Sequence, residues 1–136
     1  MEILVDSNVI LDVLTSDSRW FAWSSRSLAS YANAHVLAIN PIIYAEVSIG
    51  FKRIGEVEAV LPPAYFRRLP IPWEAAFLAG KCFLRYARSG GRKRWPLPDF
   101  FIGAHAAVAG MALMTRDVGR YPTCFPGLRL ISPEDR

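Results

Sequence analysis

Short apolar runs that each end on a polar residue, with segments of helical period between them, constrain this chain more than any other feature. "EILV" (Glu2–Val5) stops at Asp6, "HVLAI" (His35–Ile39) at Asn40, "MALMT" (Met111–Thr115) at an Arg–Asp pair, and "LRLIS" (Leu128–Ser132) is a last short run. Between them lie helical stretches at Val9–Thr15, Trp20–Asn33, Pro41–Ile54, a "WEAAFLAGKCFLRYARSGG" segment stopped by Gly90–Gly91, and "LPDFFIGAHA" running on to Gly110. Ser7 or Asn8 suits the cap of the first helix, and Asn40–Pro41 reads as an N-cap followed by proline in the first turn, with Ile43, Val47 and Ile54 along one buried stripe. A further short strand fits near Arg68–Ile71. Near-continuous apolar strands alternating with helices predict an α/β fold with a mainly parallel sheet of four to five strands and helices on both faces.

In such a sheet, ligands bind beyond the carboxyl ends of the strands. Asp6 ends the first strand, Glu46 sits on the helix after the second, Asp99 lies in the first turn of a later helix, and Asp117 follows the strand that this helix feeds. Taken singly, each has an ordinary role: a helix-end acid for Asp6 and Asp99, a solvated boundary glutamate for Glu46, a turn residue for Asp117. Taken together they are all flanked by apolar residues, and carboxylates at a buried edge are costly unless paired or bound to a cation. Oxygen donors without His or Cys favour Mg²⁺ or Mn²⁺ over zinc. His35 and His105 read as structural or surface residues.

With 136 residues, of which 52% are hydrophobic, one compact domain spanning 1–136 is expected to bury a core without disulfides. Cys82 and Cys124 lie far apart in no metal-ligand spacing and read as reduced core residues. The start, "MEILVDSN", lacks the pattern of a signal peptide, and no apolar run is long enough to span a membrane, so a cytoplasmic protein is expected. The net charge of +4 understates the basic surface if four of the acids are gathered in one site. Arg92, Lys93 and Arg94, just before the Asp99 helix, and Arg116, beside Asp117, suit phosphate contacts. The tryptophans read as core or interface anchors, with Trp95 in the basic loop the one placed to stack on a base.

The segments "ILVDSNVILD", "INPIIYAEVSIGF", "LPDFFIGAHA" and "LMTRD" resemble, in order and spacing, the motifs of PIN-domain ribonucleases, and most nearly those of VapC toxins from toxin–antitoxin pairs. The likeness runs over essentially the whole chain. It implies a PIN-like α/β/α sandwich, an Mg²⁺- or Mn²⁺-dependent endoribonuclease leaving a 5′-phosphate and a free 3′-hydroxyl, a homodimer, and inhibition by a small cognate antitoxin protein. The family's acidic site falls on Asp6, Glu46, Asp99 and Asp117. Ser7, Asn8 and Thr115 match its hydroxyl or amide positions. Arg120 stands where some members carry a fifth acid. The expected division of labour gives the principal ion to Asp6, Asp99 and Asp117 and the attacking water, or a second ion, to Glu46.

Two other α/β enzyme classes fit less well. Haloacid-dehalogenase-type phosphatases need a second Asp two residues after the first, where this chain has Asn8; receiver domains need an acid pair that "VDSN" lacks. The non-enzymatic alternative is a PIN-fold module that binds RNA or a protein partner without turnover, against which the retention of four acids argues.

Overall fold

The structure, a computed structural model, describes residues 1–88, 96–119 and 121–133. Strands β1 (Glu2–Val5), β2 (Val36–Ile39), β3 (Arg67–Arg68), β4 (Ala112–Met114) and β5 (Leu130–Ile131) form one sheet in the order β3-β2-β1-β4-β5, with every pairing parallel. β1 is central, and Ile3, Leu4 and Val5 are fully buried, which is why the run is apolar at every position rather than at alternate ones.

Helices α1 (Ser7–Leu14), α2 (Phe21–Ala32), α3 (Pro41–Ser48), α4 (Ile54–Val60), α5 (Trp73–Arg88), α6 (Leu97–Ala109) and α7 (Tyr121–Cys124) flank the sheet. α1 packs on α2 and α3, α3 on α4 and α6, and α5 on α6. The chain builds outward from β1 in one direction through β2 and β3, and in the other through β4 and β5. The reversal falls between β1 and β4, the switch point where α/β sheets open a crevice beyond their strand ends. The Asp6 amide donates to the Met114 carbonyl at 2.9 Å, and the Thr115 amide to the Ile131 carbonyl at 3.0 Å. Asp6 and Thr115 thus leave the sheet side by side at that crevice.

Several sequence expectations need correcting. The helix from Pro41 stops at Ser48 instead of running to Ile54, and a separate α4 follows. Ile43 and Val47 are buried as expected, but Ile54 opens α4 and is 73% exposed. α4 begins where the Glu56 carboxylate accepts from the Lys52 and Arg53 amides at 3.1 and 3.0 Å, a cap supplied from inside the helix. The residue at the N-cap of α1 is Asp6, not Ser7 or Asn8, and its side chain makes no capping bond. Asn40 does cap α3, accepting from the Ile43 amide at 2.9 Å with Pro41 in the first turn. The short strand sits at Arg67–Arg68, earlier than Arg68–Ile71. α6 closes on Gly110, whose φ of +69° is the left-handed conformation that favours glycine. Arg92, Lys93, Arg94, Trp95 and Arg120 lie outside the described residues.

Candidate active site

Asp6 is almost fully buried at the end of β1. Its Oδ2 accepts from the Thr115 hydroxyl at 2.9 Å, the Tyr121 hydroxyl at 3.2 Å and the Asn8 amide at 3.4 Å. Oδ1 has the Ser7 hydroxyl at 3.5 Å. That hydroxyl makes its short bond elsewhere, to Glu46 Oε1 at 2.7 Å, and so ties α1 to α3. Asn8 Nδ2 also donates to Thr115 Oγ1 at 3.1 Å, while Asn8 Oδ1 accepts from the Arg116 amide at 3.3 Å. The Asp117 amide donates to Thr115 Oγ1 at 3.2 Å, which fixes the turn carrying Asp117 past the end of β4.

The carboxyls feel one another. Burial pushes Asp6 up to about 6, with Glu46 adding to the shift and the bonds from Thr115, Tyr121 and the Ser7 amide opposing it. Burial pushes Asp99 up to about 7, reinforced by the negative charges of Asp6, Glu46 and Asp117. An acid that served only the positive end of its helix would be held below its ordinary value. Asp99 is displaced the other way, chiefly because it is desolvated, with the field of three other acids adding to the shift. Sequence-distant elements β1, α3, α6 and the end of β4 therefore bring all four expected carboxylates to one crevice.

Among the described residues, no three His, Cys, Asp or Glu side chains converge closely enough to hold an ion between them. Hydroxyls lie between the carboxylates: that of Ser7 between Asp6 and Glu46, and that of Thr115 between Asp6 and the Asp117 turn. The donor set itself is all oxygen, as a hard divalent cation requires. His105 is buried against Asn40, its Nδ1 3.0 Å from the amide nitrogen, and burial lowers its proton affinity. It joins α6 to the start of α3, a structural role.

Two participants escaped the sequence reading. Tyr121, 1% exposed on α7, bonds Asp6 directly, and burial beside these acids raises its hydroxyl's pKa. Asp12, on the second turn of α1, is 3% exposed and takes the Ser24 hydroxyl at 2.9 Å and Arg116 Nε at 2.9 Å. Arg116, read from sequence as a phosphate contact, is thus anchored inward at Nε while its side chain stays 30% exposed. An aromatic residue shortly after the last acid, and a lone Asp on an apolar helix, were the only cues to these two.

A family model for the PIN domain matches residues 3–120. The chain belongs to the PIN-domain family. No curated protein matches its sequence. Among solved structures, this PIN domain resembles VapBC2 of Rickettsia felis, bound to a DNA fragment from its promoter, at 18% identity and a TM-score of 0.74 over 97% of this chain and 98% of that one. It resembles FitAcB of Neisseria gonorrhoeae at 25% identity and a TM-score of 0.65 over 98% and 99% of the two chains. It also resembles VapC20 of Mycobacterium tuberculosis, described as a sarcin–ricin loop-cleaving toxin, at 14% identity and 0.68 over 96% and 99%. The PIN fold is thereby established, and no helix among the described residues is long and apolar enough to cross a membrane.

Proposed function

We propose that this PIN domain is a divalent-metal-dependent endoribonuclease acting as the toxin of a toxin–antitoxin pair. The observation that carries the reading is the shared field of Asp6, Glu46, Asp99 and Asp117 at the switch point of a parallel sheet. Asp6 is buried, Glu46 and Asp99 are half-buried and Asp117 is exposed at the mouth of the crevice, and a buried carboxylate in the field of other acids destabilises a fold that has no use for it. The names of the similar structures, VapBC, FitAcB and the loop-cleaving VapC20, support the toxin and RNA assignments.

In this reading Asp6, Asp99 and Asp117 hold Mg²⁺ or Mn²⁺, and Glu46 serves the attacking water or a second ion. The ion supplies positive charge to offset the phosphorane and to acidify a water. The chain's own contribution is orientation. Thr115, Tyr121 and Asn8 all hold Asp6 by Oδ2, while the Ser7 hydroxyl makes only a long contact with Oδ1. Ser7 fixes Glu46 by Oε1, so a water proton can pass to a carboxylate already set in place. Arg92, Lys93 and Arg94 supply cations for the RNA backbone.

An antitoxin and a second copy of the chain both need apolar surface to dock on, and the protein has it. Trp73 and Phe77 on α5 are 88% and 68% exposed. An apolar cleft of about 550 Å³ runs past Ile39, Pro41, Tyr44, Ala45, Leu69 and Pro70.

The test is cleavage of total RNA by the purified protein with Mg²⁺ or Mn²⁺, with EDTA, and with Asp99→Asn. Metal-dependent cuts abolished by EDTA and by Asp99→Asn are expected. A folded protein that binds RNA but never cuts it with either ion is the non-enzymatic module instead. Growth arrest on expression, relieved by the neighbouring reading frame, tests the toxin role.

A further inference from the structure

A cavity of about 560 Å³, in the ~300–1,000 Å³ range of small-molecule sites, opens beside the acidic crevice. It is lined by Arg19, Trp20, Arg116, Asp117, Val118 and Gly119, so Asp117 is common to the cavity and the acid cluster. The Arg19 guanidinium lies 4.9 Å from the centre of the Trp20 ring and that of Arg116 5.7 Å from it. This indole is therefore no core anchor: it is half-buried, with two cations close to its ring at the edge of the site.

The cluster is built. Buried Asp12, itself bonded by Ser24, takes Arg116 Nε at 2.9 Å and keeps that guanidinium beside the ring. Asp17 Oδ2 accepts from the amides of Arg19 and Trp20 at 3.0 and 2.7 Å and fixes the backbone that carries both. Arg19 is exposed and has no carboxylate within ion-pair distance among the described residues, so its charge is available to a ligand. A flat surface of indole and guanidinium, with a phosphate-seeking cation at its rim, is what an unpaired nucleotide needs: bases stack on aromatic rings and on guanidinium planes alike. A positively charged rim also disfavours a basic protein segment and suits the phosphate of a nucleotide.

We infer that the Arg19–Trp20–Arg116 cluster is a nucleotide subsite: it stacks one unpaired base flanking the scissile phosphate and grips its backbone, so that it sets where RNA is cut. This rests on the ribonuclease reading above.

The experiment maps the cut in total RNA, then measures cleavage of a short single-stranded oligoribonucleotide spanning it, with abasic substitutions scanned on either side. In the wild type, one abasic position next to the cut should lower kcat/KM by at least about fivefold. Trp20→Leu should show a similar loss on the intact substrate, carried by KM, and no further loss at that abasic position; Trp20→Phe should restore the sensitivity. Arg19→Gln, which leaves the ring in place, should flatten the log–log salt dependence of binding by about 0.7. If Trp20→Leu and Arg19→Gln both cut with wild-type KM, salt slope and abasic profile, the subsite is overturned and the nuclease stands. If they leave RNA cleavage unchanged but weaken the complex with the antitoxin, the cluster is a protein-docking surface and the inference is equally overturned. Failure of the wild type to cut any RNA overturns the ribonuclease reading, and the subsite falls with it.

Discussion

Tyr121 and Asp99 act on the same carboxylate field from opposite directions. The Tyr121 hydroxyl donates to Asp6 and pulls its proton affinity down, against a burial that pushes it up to about 6. Tyr121→Phe removes that donor, so the Asp6 carboxyl rises further. The acid limb of the pH–rate profile should move to higher pH, with a stability loss of ~0.5–1.5 kcal/mol for the missing bond. An unmoved limb would mean that Asp6 does not govern it. Asp99→Asn removes a charge that Asp6, Glu46 and Asp117 all oppose. The metal-free variant should melt at or above the wild-type temperature, yet lose cleavage and Mn²⁺ affinity. A clear fall in melting temperature would make Asp99 a structural acid. At this scale the sequence was informative about charge and silent about its neighbours. Four acids beside apolar residues are legible as a pattern, but the sequence did not tell that only Asp6 is buried while Glu46 and Asp99 are half-buried and Asp117 exposed. That Tyr121 would reach Asp6, 115 residues away, depends on packing that no local pattern encodes.

Where elements meet, a single hydrogen atom decides the fit. A Cβ on Gly103 of α6 would overlap the Phe125 ring and press on Tyr121. The absence of that methyl group is what lets α7 come close enough to aim Tyr121 at Asp6. Gly103→Ala gains helix propensity but overpacks, and should cost ~1–3 kcal/mol in thermal or urea unfolding. It should also lower cleavage more than Tyr121→Phe does, because the whole ring is displaced. A variant of wild-type stability and activity would show that α7 shifts freely. The elements themselves were largely legible: β1 runs over Glu2–Val5 as read, and Asn40–Pro41 opens α3 as read. α4 was not, because Arg53 stands where a capping residue is sought and only Glu56, three residues on, carries the signal. α7 was not, because a four-residue helix containing proline has no period to detect.

For the whole molecule, the raised carboxyls couple stability to pH. The native state holds protons on Asp6 and Asp99 more tightly than the unfolded chain does, since both lie above the ordinary value of 3.8, near 6 and 7. Their contribution is therefore fully present below about pH 4 and is lost as pH rises through 6 and 7. At ~1.4 kcal/mol per unit, Asp6 accounts for about 3 kcal/mol, less whatever the crevice recovers by hydration. EDTA-treated protein should melt lower at pH 8 than at pH 5.5, and Mn²⁺ should raise the melting temperature most at pH 8. A metal-free melting temperature that is flat across this range would contradict the burial of these acids. Under the proposed function, charge would also set the reach for RNA. The chain carries +4 overall, and replacing Arg92, Lys93 and Arg94 by Gln should flatten the salt dependence of RNA binding by about two log–log units if all three touch phosphate. An unchanged slope would route the RNA over other cations.

The central position of β1 also imposes an order in time. Its partner β2 arrives soon after it in the chain, whereas β4, on its other side, comes much later; Asp6 and Thr115 are 109 residues apart. Contacts of such separation carry the larger loop-closure cost, because the chain between them must first be closed into a loop, and they are expected to form after the β1–β2 pairing. A molecule that has zipped β1 to β2 already owns Asp6 and Glu46, yet its crevice lacks Asp99, Asp117 and the threonine that holds Asp6. Under the proposed function, a half-made copy lacks the complete carboxylate set, so cleavage would belong to finished molecules alone.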